Sequence, residues 1–173
     1  LHDGRPPVGA RSKAAAHDRE ITTALRSVAA LHELAPAVIA RLAAVASRQD
    51  LARGEQLFGA DAHCPGLYIV ASGRLMLSVG TPESGHKVIR LAEAGDVIGL
   101  SATLLGIDTF ASAEALVDST VIMMPRDNLL ERAARDAALA LALANIAAKQ
   151  ARTIAIDLES VSLQSGRERI VNY

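Results

Sequence analysis

Apolar positions change their period along this chain, and the changes mark out its elements. From Asp18 onward, Ile21, Leu25 and Val28 recur at helical spacing. Pro36 then stands where a first helical turn tolerates proline, ahead of Val38, Ile39, Leu42 and Val45. Two short helices are predicted there. Residues 1–17, with Gly4, Pro6, Pro7 and Gly9, carry no period and read as a flexible arm. From Leu51 the texture shortens to strand-like runs, Leu67–Val70, the alternating Leu75, Leu77 and Val79, and Val88–Leu91, punctuated by Gly54, Gly66, Gly73, Gly80 and Gly95. This predicts a compact antiparallel β unit, with a hairpin loop across 80–85 and a tight turn at Ala94-Gly95-Asp96. After a last strand over Ser119–Met124, Pro125 and Asp127 announce a helix, and Asp136 can cap a second, longer one.

The longer helix carries a stripe. Ala140, Ala144, Ala147, Ala151, Ile154, Leu158 and Val161 are spaced 4, 3, 4, 3, 4, 3, the seam of a coiled coil. Such a stripe could also lie on the chain's own β unit, but Leu139, Leu143 and Ile146 already supply a second apolar face for that purpose, so a homodimer is expected. Ser165 and Glu168 have the spacing of a capping box, which predicts that the helix stops and a new one, with Ile170 and Val171, opens. A helix cut at Tyr173 buries little, so a further domain is expected to follow. The expected organisation is an arm over 1–17, a domain of short helices and β unit over 18–125, a helix pair over 126–165, and the start of another domain over 166–173.

Composition narrows the function classes. Half of the 173 residues are hydrophobic and 21% are charged, with 18 basic against 19 acidic, which excludes a disordered tail or a polyelectrolyte. Aromatics are 2% of the chain, too few to stack successive nucleic-acid bases. The most apolar run, 137–148, is far short of the roughly 20 residues a membrane helix needs. The N-terminus has no signal pattern, and the single Cys64 fits a reducing compartment, so a cytoplasmic protein is expected. There is no His-x-His pair for cupin metal chemistry, no Gly-x-Ser-x-Gly elbow and no phosphate-binding P-loop.

Several strings carry a family likeness: Gly54-Glu-Gln-Leu-Phe58, Gly66-Leu-Tyr-Ile-Val70, Ser72-Gly73-Arg74, Gly95-Asp96-Val-Ile-Gly99 and Ala113-Glu-Ala-Leu116. In that order and spacing they resemble the cyclic-nucleotide-binding β-roll. With the long seam helix and Ser162-Leu-Gln-Ser-Gly-Arg-Glu-Arg-Ile170, the chain is similar to the sensory part of a Crp/Fnr-type transcription regulator, with a Dnr-like flavour in the last passage. The resemblance implies an α+β fold, an antiparallel jelly-roll-like β-roll with short N-terminal helices and a long C-terminal dimerisation helix. It further implies a homodimer that reaches DNA through a helix-turn-helix domain after residue 173, in response to a small-molecule or gas effector, and no membrane association. It implies a non-catalytic protein.

The same resemblance locates the effector pocket at Gly99, Leu100, Ser101, Thr109, Phe110 and Ala111. Cyclic-nucleotide-binding relatives keep a Glu after the second Gly for the ribose and an Arg-Ser or Arg-Thr pair for the phosphate. Here those positions hold Leu100, Thr109 and Phe110. A buried phosphate would have no cation, which argues against cyclic AMP. Near Ile154 and Ala155 the long helix offers a nucleotide base no side-chain hydrogen bond. Two readings stay open: a region closed by its own side chains such as Leu100 and Phe110, or a cavity for an apolar or planar ligand such as haem. Candidate haem ligands are His17, His32, His63, Cys64 and His86, none at a spacing that itself implies a metal. One cysteine argues against an iron–sulfur cluster. The competing classes are a cyclic-nucleotide-responsive regulatory domain of a kinase or channel, and a small cupin-like enzyme.

Overall fold

In a computed structural model, the backbone is described for residues 8–81 and 85–171, and side chains for residues 16–80, 85 and 87–157. Three helices open the chain: α1 (Val8–Ser27), α2 (Ala29–His32) and α3 (Pro36–Ala43). Eight strands follow, β1 (Ser47–Leu51), β2 (Gln56–Phe58), β3 (Gly66–Ser72), β4 (Arg74–Thr81), β5 (Gly85–Glu93), β6 (Val97–Ile98), β7 (Ser112–Ala115) and β8 (Ser119–Pro125). A short α4 (Leu100–Leu105) separates β6 from β7, and α5 (Arg126–Arg135) and α6 (Ala137–Val171) close the chain.

The strands form two four-stranded sheets, β1-β8-β3-β6 and β2-β7-β4-β5, and every described pairing is antiparallel. Strand β3 shows how one sequence serves two cores. Its residues alternate between faces: Tyr68 and Val70 point between the sheets, with Leu75, Ile98 and Val121, whereas Leu67 and Ile69 point outward under the helices. That outer layer contains Ile21 and Leu25 of α1, Ile39 and Leu42 of α3, and Leu139, Leu143 and Ile146 of α6. With both faces covered, β3 reads as a continuous apolar run rather than an alternating one. Gly66 stands against the Met124 backbone so closely that a Cβ would run into the Met124 carbonyl oxygen.

Two expectations about boundaries are corrected. The residues read as a loose arm over 1–17 are helical from Val8, ten residues before the expected start at Asp18. Lys13, Ala14, Ala15 and Ala16 are strong helix formers, and Gly9 falls in the first turn, where it interrupts little. At the other end, α6 runs 35 residues, through Ser165 and Gly166, so the helix pair does not stop at 165 and no new helix opens at 166. A single glycine costs a helix about 1 kcal/mol and does not end it where no proline follows. The start of α6 is as read: the Leu139 amide donates to Asp136 Oδ1 at 3.1 Å. No helix among the described residues is long and apolar enough to cross a membrane.

Candidate functional site

The site is built where sheet β1-β8-β3-β6 hands over to the second sheet. Strand β6 ends at Gly99, which takes a left-handed conformation (φ +75°) that turns the chain into α4. Thr103 Oγ1 donates to the Gly99 carbonyl at 2.8 Å, and the Cys64 thiol donates to Gly66 O at 3.1 Å with Thr103 Oγ1 at 3.6 Å. Arg126 Nε reaches Thr103 O at 2.8 Å, anchoring the short helix to the start of α5. Gly106, again left-handed, ends α4 beneath the Arg126 guanidinium.

Leu100 and Phe110, the side chains of the reading in which the region closes on itself, lie apart, one in the outer core and one in solvent. Leu100 is 1% exposed, but it belongs to the outer core under the helices, with Leu67, Ile69, Met124 and Leu139. The Gly99 turn directs it there. Phe110 is 66% exposed. Phe110 lies in the bend that precedes β7, between the buried Thr109 and Ala111, and its ring is left in solvent. Ser101 is exposed and Ala111 is buried.

Thr109 turns inward and is fully engaged. Its hydroxyl donates to Gly59 O at 2.7 Å with Ala62 O at 3.2 Å, and its amide donates to Ala62 O at 2.9 Å. The Asp61 amide donates back to Thr109 O at 2.6 Å. Sequence reasoning missed this clasp because its partners are backbone carbonyls. It likewise missed Gln150, whose Nε2 donates to Val97 O at 2.8 Å.

His17, His32 and His63 are exposed, and the His86 side chain lies outside the described residues. Cys64 is buried, with its thiol turned to protein oxygens. No group of three metal-ligating side chains occurs among the described residues. The cavity among Leu25, Leu42, Ile69, Val97, Leu139 and Leu143 has room for about 10 Å³, roughly one water, and is wholly aliphatic.

On α6, Ala140, Ala144, Ala151 and Ile154 are exposed, while Ala147 is half-buried against the domain's own core. The side chains of Leu158 and Val161 lie outside the described residues. All of residues 151–157 are exposed, so the helix leaves its own domain just after Gln150.

Residues 48–136 match the family model described as cyclic nucleotide-binding domain. The chain belongs to that family. Its structural neighbours include regulators of the Crp/Fnr type. The catabolite activator protein of Thermus thermophilus is 25% identical, with a TM-score of 0.68 over 77% of this chain and 62% of that one. The sensor domain of the transcriptional regulator DNR from Pseudomonas aeruginosa is 22% identical, with a TM-score of 0.68 over 79% of this chain and 93% of that one. The regulatory domain of Toxoplasma gondii PKA, solved with cAMP, is 17% identical, with a TM-score of 0.70 over 82% of this chain and 52% of that one. The chain spans 62%, 63% and 65% of the first three solved chains it matches. No curated protein matches.

Proposed function

We propose that this cyclic nucleotide-binding fold is the sensory and dimerisation part of a Crp/Fnr-type transcription regulator that does not bind cyclic nucleotide in the usual way. The observation that carries this is Thr109. It stands at the cation position of the phosphate cassette, is uncharged, and already spends its hydroxyl on backbone carbonyls. A cyclic phosphate brought there would meet carbonyl oxygens instead of a guanidinium and would lose its water without compensation. Leu100, buried on the far side, offers the ribose nothing.

The protein works without catalysis, as a two-state coupler in the cytoplasm. Another effector, a small apolar molecule or a gas, biases how α6 sits on the roll, and two copies paired along α6 carry that bias to DNA-binding domains beyond residue 173. The exposed stripe through Ala140, Ala144, Ala151 and Ile154 supports the pairing, because a helix standing off its domain is marginal in water unless a partner covers it. Calorimetric titration with cyclic AMP tests the central claim: no heat is expected, and micromolar binding overturns it.

A further inference from the structure

The clasp at Thr109 has the chemistry of a ligand contact made internally. A phosphate cassette works by presenting donors to the oxygens of an anion. Here the guanidinium is gone, Thr109 offers a hydroxyl and an amide in its place, and the oxygens these meet are supplied by the chain itself. The connection from β2 to β3 folds over the end of the cassette, with Asp61 held left-handed (φ +58°). That conformation is uncommon for a residue with a Cβ. It accompanies the Asp61 amide's bond to Thr109 O, and the Gly59 and Ala62 carbonyls point at the Thr109 hydroxyl and amide. Thr109 is 4% exposed, so these bonds form away from bulk water.

We propose that residues 59–62 act as a built-in surrogate ligand of the cassette. Their carbonyl oxygens take the place of an anion's oxygens and hold the α4–β7 segment closed with no external molecule. This rests on the non-nucleotide reading above and adds to it: the cassette end is a permanently made latch, and control enters elsewhere. The partner recognised at Thr109 is a pair of neutral acceptors within the same chain. The latch accounts for both halves of the local pattern. Thr109 is tied inward, and Phe110, in the bend that follows it, is left in solvent.

Amide hydrogen exchange on the whole chain tests the latch directly. Thr109→Val keeps the side-chain shape and removes the hydroxyl donor, whereas Thr109→Ser keeps the donor. In Thr109→Val the Asp61 and Thr109 amides are expected to exchange about tenfold faster, the loss of one to two hydrogen bonds, with strands β3 and β8 still protected. Thr109→Ser should exchange as wild type does. Equal exchange in Thr109→Val and wild type would overturn the latch whatever calorimetry shows. Cyclic AMP binding to the wild-type chain would instead overturn the non-nucleotide reading. Should Thr109→Val fail to fold, Asp61→Gly, which relaxes the left-handed residue without touching the hydroxyl, serves as the second variant. It should retain slow exchange at Thr109, and fast exchange there would overturn the latch.

Discussion

Gln150 ties the long helix to the strand that feeds the cassette: its Nε2 donates to the Val97 carbonyl at 2.8 Å, two residues before Gly99. Beyond it, residues 151–157 are exposed. The contact lies between the part of α6 that packs and the part left to reach a partner. Replacing Gln150 by Ala removes the donor and leaves the Val97 carbonyl without it, at about 1 kcal/mol. Urea denaturation should show the midpoint fall with the slope unchanged. Faster amide exchange should spread from Gln150 toward the helix end; an unchanged pattern would show that α6 is held by Leu139, Leu143 and Ile146 alone.

Leu100 stands where nucleotide-binding relatives keep a glutamate, which invites an attempt to restore that residue. Because Leu100 points into the core beneath the helices, Leu100→Glu would bury a carboxylate among Leu67, Ile69 and Met124. The expected result is a loss of roughly 3 kcal/mol or more, read by thermal or urea unfolding, and no nucleotide binding. A variant as stable as wild type would show that the side chain turns into the roll.

Arg48 links α1 to the first sheet. Its Nη1 donates to Glu20 Oε2 at 2.6 Å, and its Nε and Nη2 donate to Asp50 Oδ1 at 3.0 and 2.7 Å. Thr120 Oγ1 donates to the same Asp50 oxygen at 2.8 Å. The hydrogen bonds from Arg48, and then from Thr120, hold the Asp50 carboxyl below its ordinary value. A carboxyl lowered on folding contributes stability that is complete above its unfolded value, near about pH 4, and is lost as pH falls through the folded value. The Arg48→Met variant should therefore lose stability relative to wild type at neutral pH, with the gap narrowing under acid. Unfolding free energies measured from pH 6 down to pH 2 check this; a gap independent of pH would mean that Arg48 acts only through its packing.

The stripe on α6 makes its own prediction. Ile154→Asp together with Leu158→Asp should convert the dimer expected of the wild-type chain into a monomer in sedimentation, because two charges would face their copies across the seam. The roll itself should keep its thermal midpoint, since Ile154 is 58% exposed. A dimer that persists would place the contact elsewhere.

Much of the fold was legible because it depends on local periodicity. The apolar run of β3, the turn at Gly95, the Asp136 cap and the two faces of α6 all follow from spacing between near neighbours. The misread boundary at the end of α6 failed for a local reason too: Ser165-Gly166 resembles a helix end, yet the Ser-x-x-Glu spacing also occurs inside a helix that runs on, where no orphan amide calls for a cap. The candidate site was legible as to which residues occupy the cassette, but not as to where they point. Leu100 and Phe110 lie apart, one in the outer core and one in solvent.

By itself, the sequence determined four of the eight strands, the helices that flank them, the absence of a cation and a glutamate at the cassette positions, and a helix with two apolar stripes. These are properties of residue identity and short-range repeat. Only the tertiary structure decided that a left-handed Gly99 sends Leu100 beneath the helices, that Thr109 turns inward while Phe110 in the following bend stands in solvent, and that the carbonyls of Gly59 and Ala62 meet the Thr109 hydroxyl. Those outcomes depend on backbone atoms brought together from some 50 residues apart, and the backbone is the part of the chain that every sequence shares.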